Sequence, residues 1–147
     1  MQGWIEIEDH DSLSSFMERM WAFHDSCLKE IWYISGASVN ENGSMLPLNL
    51  DRRLRVLIQR QFEDIPVIEM EFEGLKRLDL VPTLPDWTCE ILDATMLLVD
   101  GLFYWCDEGG LSLSDIESYG GTVICAEKFR WRPAPELIGS EIAYCST

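Results

Sequence analysis

The stretch "TCEILDATMLLVDGLFYWCDE", residues 88–108, decides the fold class. Asp100-Gly101 suits a two-residue type I′ turn, because both central positions of that turn require positive φ. Pairing outward from it sets Leu98 against Phe103 and Met96 against Trp105 on one face. On the other, Val99 meets Leu102 and Leu97 meets Tyr104. Both faces are apolar near the turn, so the hairpin is expected to be covered on both sides, by a helix, a second sheet layer or another subunit. The 94–107 hairpin is therefore also the candidate homodimer contact.

Downstream, "EGGLSLSDIESYGG" (108–121) is bracketed by glycine pairs, and Ser114-Asp115-Ile116-Glu117 has the spacing of a capped helical turn. "TVICAEKFRWR" (122–132) alternates Val123, Cys125, Glu127, Phe129 and Trp131 against the intervening residues, as a closing strand does. Residues 133–147 read as a loosely attached C-terminal tail.

Upstream, Leu54, Val56, Ile58 and Phe62 share one side of "RLRVLIQRQF" (53–62). Ile68, Met70 and Phe72 share one side of "VIEMEFE" (67–73), with Glu69, Glu71 and Glu73 opposite. Since a one-residue slip reverses every face, burial selects a register setting Ile58 against Met70, Val56 against Phe72 and Arg55 against Glu73, with Glu63-Asp64-Ile65 in the loop. "GLKRLDLVP" (74–82) reads as a separate strand closed by the "PTLPDW" loop. "MLPLNL" (45–50) reads as a short edge segment after the "NENGS" turn.

The N-terminal third changes period within "MWAFHDSCLKEIWYISG" (20–36). After a short strand in "WIEIE" (4–8), Leu13, Phe16, Met17, Met20, Trp21 and His24 recur at helical spacing, with Asp11 or Ser12 as N-cap. From Ser26 to Ser35 the alternation is that of a strand ending at Gly36. His24 is thus expected in the last turn of the helix, near the carbonyl end of its dipole, with Asp25 and Ser26 turning the chain. Together these segments predict an α+β fold in one domain, 1–147, with its core in 4–132. About seven or eight mainly antiparallel strands form a curved or two-layer sheet beside one amphipathic N-terminal helix.

Composition narrows the function classes. The net charge is −15, and residues 78–127 hold ten Asp or Glu and no Lys or Arg. Such a surface repels phosphate backbones and excludes nucleic acid as the natural partner, while steering a basic protein toward it. Asp107, Glu108, Asp115 and Glu117 are the candidate partner-binding residues. No apolar run approaches the ~20 residues of a membrane span, and the acidic N-terminus lacks the features of a secretory signal, so the expectation is cytoplasmic, without membrane contact. Five cysteines, none in a C-x-x-C pair and four in strand-like apolar runs, are expected to be reduced packing residues.

Chemistry has few candidates. The two histidines, His10 and His24, are each followed by Asp, a dipeptide that resembles one part of the site of HD-type metal phosphohydrolases. That site is held on a helical bundle, and most of this chain alternates like strands, so His24 and Asp25 are at best weak metal ligands. No G-x-S-x-G, P-loop or dinucleotide glycine pattern occurs. The sequence therefore assigns no catalytic residue and no cofactor. A small carboxylate- or metal-dependent hydrolase and a self-associating structural domain are the alternatives to a binding module.

The order "FHDSCLKEI" (23–31), then an Asn-Gly turn, then "VIEMEFEGLKRLDL" (67–80), then a closing strand resembles a group of small uncharacterised bacterial proteins. More loosely, it resembles the small acidic immunity proteins of bacterial toxin systems. The resemblance spans roughly residues 22–132 and brings no catalytic residues with it. It implies a non-enzymatic protein-binding module, of the kind that inhibits a basic toxin domain.

Overall fold

The computed structural model describes residues 3–145. Its elements run β1 (Ile5–Ile7), α1 (His10–Arg19), β2 (Ser26–Ile34), β3 (Ser38–Val39), β4 (Met45–Leu46), β5 (Arg53–Arg60) and β6 (Val67–Asp79). They continue with β7 (Thr95–Val99), β8 (Leu102–Cys106), α2 (Leu113–Ser118) and β9 (Val123–Pro133). Among the described residues every strand pairing is antiparallel, and β2-β5-β6-β9-β8-β7 form one sheet. The expected α+β class holds. β9 is the centre: β6 lies along one edge, while β8 pairs with residues 123–126 and β1 with residues 129–131 of the other. An isolated bridge, Ser26↔Ile91, links the outer strand β2 to the segment leading into β7, so the sheet curls until its two edges meet at one point.

The hairpin forms in the expected register, with Leu98 opposite Phe103 and Met96 opposite Trp105. Asp100 and Gly101 take φ of 51° and 76°, the left-handed pair that a type I′ turn needs. Both of its covers come from its own chain. Met96, Phe103 and Trp105 join the main core with Leu13 and Phe16 of α1 and Met20 just after it, and Ile116 of α2 packs with Cys106, Leu97 and Tyr104 on the other side.

Several boundaries differ from the sequence reading. The β5–β6 register sets Val56 against Met70, Ile58 against Ile68 and Arg55 against Glu71, two residues from the expected pairing. The inward face is preserved because the slip is even. What fixes it is the loop: Arg60 N donates to Pro66 O at 2.7 Å, and the Arg60 guanidinium donates to the carbonyls of Asp64 and Ile65. β6 does not break at Gly74 but runs on for 13 residues, since Gly74 takes φ +65° and a bulge between Leu75 and Arg77 absorbs the irregularity. The N-cap of α1 is Asp9, with Ser12 completing the capping box, and that of α2 is Ser112 with Asp115. Serine or aspartate three residues from the cap serves as well as the expected Glu.

The C-terminal segment is tied down rather than loose. The Glu30 carboxylate accepts from the backbone N–H of Ala143 and Tyr144, and Gln59 Nε2 donates to the carbonyls of Leu137 and Gly139. The Tyr144 hydroxyl donates to Glu69 at 2.5 Å. Beneath it the outer sheet face carries an ion ladder: Glu71 receives Arg55 at 2.7 Å and Arg130 at 2.5 Å, and Glu69 receives Arg132 at 2.7 Å. The Trp4 ring lies over Arg132 and Arg130, with guanidinium carbons 4.2 and 4.7 Å from its centroid. Among the cysteines, Cys27, Cys106 and Cys125 sit in strands, while Cys89 and Cys145 are exposed in irregular segments, so three rather than four pack in strands.

Candidate functional site: the 21–26 turn and the 80–94 segment

The helix that should reach His24 stops at Arg19. Trp21, Ala22 and Phe23 instead form a 3₁₀ turn with φ of 53°, 49° and 63°, and Asp25 follows at 56°. Left-handed backbone costs roughly 1–2 kcal/mol per non-glycine residue and persists only where the surroundings over-determine it. Here the restraint is the segment entering β7. Ala94 N donates to Ala22 O at 2.7 Å, Asp25 N to Ile91 O at 2.9 Å and Ile91 N to Ser26 O at 2.7 Å. Phe23 anchors the turn from below, fully buried against Trp105 and Phe16. Replacing Ala22 with glycine relieves one left-handed residue, so A22G is expected to leave stability unchanged or raise it by about 0.5 kcal/mol. A loss of more than about 1 kcal/mol in chemical denaturation, the usual cost of glycine in a helix, would contradict the strain.

His24 does not interact with a helix end. Its Nδ1–H donates to the Leu92 carbonyl at 2.7 Å, and its Nε2 lies 3.4 Å from Asp25 Oδ2. The pair thus clips the 80–94 segment to the turn. Among the described residues no three His, Cys, Asp or Glu side chains are grouped as a metal site. The four acidic candidates are divided. Asp107 lies inside a cavity wall and accepts from the Tyr119 hydroxyl. Asp115 is spent on the cap of α2, and Glu108 and Glu117 are exposed on either side of it.

Two cavities flank Cys89 where the segment crosses the curled sheet. One, of about 520 Å³, has Asp25, Gln59, Arg60 and Glu90 in its walls. The other, of about 370 Å³, is bounded by Leu28, Val81, Ile91, Trp105, Asp107 and Thr122. Around them the segment shows apolar side chains to solvent: Trp87 is 72% and Leu84 68% exposed, and Trp21 on the neighbouring turn is 68% exposed. Trp21 stacks on Phe62, whose ring lies under the Arg60 guanidinium. Asp86, Glu90 and Asp93 intersperse these residues, with no basic side chain between 78 and 127. A larger cavity of about 670 Å³ opens where β8 and β1 leave Glu127 and Lys128 between them, with Glu6, Glu73 and Asp100 on its walls.

Sequence reasoning placed the acidic region but missed its apolar centre. Trp87 and Leu84 sat in "PTLPDW", recognised only as a loop closure. The available signal was that two large apolar residues flank Pro85 and Asp86 in a segment with no strand alternation. No protein-family model matches the chain, and neither a curated protein nor a solved structure matches it.

Proposed function

We propose that this protein is an acidic protein-binding module, acting in the cytoplasm as an immunity-type inhibitor, that docks a basic partner on the surface formed by residues 80–93 and the 21–25 turn. The exposure of Trp87 and Leu84 on a segment without a single cation carries this reading. Exposed aromatic anchors are the residues that dominate protein interfaces, and surrounding carboxylates would steer a basic partner and set its orientation. The strained, multiply clipped turn supports it as well: the platform is held in place before binding, so little ordering would be lost on association.

Affinity purification from the source cells with the native chain as bait is expected to recover a basic protein in stoichiometric amount. W87A is expected to weaken that complex about 30-fold or more, as an interface anchor does, and paired D86N/E90Q substitution to slow association and flatten its salt dependence. Recovery of no stoichiometric partner would overturn the reading, and so would a partner held equally by the native chain and W87A.

A further inference from the structure

Ser26 and Ile91 form the bridge at which the curled sheet closes: Ile91 N donates to Ser26 O at 2.7 Å and Asp25 N to Ile91 O at 2.9 Å. Cys27 follows Ser26 by one residue and Cys89 precedes Ile91 by two, so the antiparallel pairing carries both in the same direction from the bridge. Bridged antiparallel backbones run about 5 Å apart, and an offset of one residue keeps two Cα atoms within the roughly 4.4–6.8 Å that a disulfide spans. Strict alternation would turn the two side chains to opposite faces. Residues 88–90 have left strand geometry, however, and both cysteines line the same cavity of about 520 Å³. Their thiols also sense each other: burial pushes the Cys27 thiol up, and the neighbouring Cys89 thiol adds to the rise.

The pair is chemically asymmetric. Cys89 is exposed to solvent and Cys27 is half-buried. The other thiols are poor competitors for it. Cys106 and Cys125 are buried, and burial raises both, Cys106 to about 11, which keeps them from acting as thiolates. Cys145 is exposed but does not line that cavity.

We propose that Cys27 and Cys89 form a redox site whose oxidant is a low-molecular-weight disulfide such as oxidised glutathione, and that their oxidation ties the 80–91 segment to β2. The Cys89 thiolate attacks one sulfur of the glutathione disulfide, expelling one glutathione thiolate and leaving a mixed disulfide. The Cys27 thiolate then attacks Cys89 Sγ and expels the second glutathione. Two protein thiols are oxidised to one disulfide, and one glutathione disulfide is reduced to two thiols. Because the two cysteines share a cavity, the second attack is intramolecular and outruns reversal by free glutathione. The inference does not rest on the protein-docking reading, and its test needs no partner.

Reduced full-length protein is incubated with oxidised glutathione, alkylated and digested with chymotrypsin. Trypsin would leave Cys89, Cys106 and Cys125 on one peptide, since no Lys or Arg lies between 78 and 127. Mass spectrometry is expected to find a peptide pair joining Cys27 to Cys89, lighter by the hydrogens lost. C27A is expected to stop at the glutathione adduct on Cys89, and C89A to slow oxidation of Cys27 about tenfold or more. The Asp25 and Ile91 amides, whose bonds form the bridge, are expected to exchange about tenfold more slowly after oxidation and to recover with dithiothreitol. C89A alters an exposed position, which keeps the test open should C27A fail to fold. The proposal is overturned if the native chain stops at glutathione adducts, or if Cys89 is linked instead to Cys145 or to a second chain. Oxidation of Cys27 as fast in C89A as in the native chain would overturn it too, and so would Asp25 and Ile91 amides that exchange equally in both redox states.

Discussion

Phe129→Ala is expected to lower stability by about 3–5 kcal/mol, a fall of about 10 °C or more in Tm. Its ring is the hub of the core, with centroids 4.9 Å from Phe72 on β6, 5.3 Å from Phe16 on α1 and 6.0 Å from Phe103 on β8. Those three partners come from different elements. No single one can move to fill the space without giving up its own contacts, so a cavity rather than a collapse should follow. Differential scanning calorimetry and urea titration measure the loss directly. A loss below about 1.5 kcal/mol would mean that the helix is not packed across β9 as described.

Glu71→Gln is expected to cost a similar amount, about 3–5 kcal/mol. Glu71 is 0% exposed and bonds both Arg55 and Arg130. Glu6 and Glu73 each lie 3.5 Å from Arg130 and partly replace the lost charge there, so the damage falls mainly on Arg55. The combined replacement R55M/E71M is expected to cost less than E71Q alone, because removing both partners leaves no unpaired buried charge. The same ladder sets a pH dependence. Burial pushes the Glu71 carboxyl upward, but the hydrogen bonds and charges of Arg55 and Arg130 outweigh it, so its pKa lies below the ordinary 4.5. A depressed folded-state pKa gives stability that is fully present above 4.5 and drains away as the pH falls through the folded value. Acid unfolding followed by circular dichroism should therefore steepen below that pH in the native chain and lose this component in E71Q.

Where local rules acted alone, the sequence was legible. Asp100-Gly101 dictated turn type and register together, because a two-residue loop leaves no freedom between its strands. The inward set on β5 and β6 was legible for the same reason that their absolute register was not. Alternation fixes parity, but the choice among even slips lay with Arg60, whose guanidinium binds loop carbonyls no pattern advertises. The end of α1 was misread because the helical spacing persists through Trp21 and His24. Tertiary bonds from Ile91 and Ala94 override it and hold the left-handed turn. The alternation placed Glu69 and Glu71 on the face opposite the apolar side chains. That face is closed by Arg130 and Arg132 from a strand some 60 residues away and by Tyr144 from the C-terminal segment. Charge pairing at that separation leaves no local trace, and neither does the convergence of Trp105 and Asp107 with the 80–91 segment on one cavity.

The docking surface can be mapped by amide hydrogen exchange of the purified complex against the free chain. Slowed exchange confined to residues 80–93 and 21–25, with β2 and α2 unchanged, is the result the proposed function predicts. Protection centred instead on the acidic cleft of Glu6, Glu73 and Glu127, with residues 80–93 exchanging as fast as in the free protein, would contradict it.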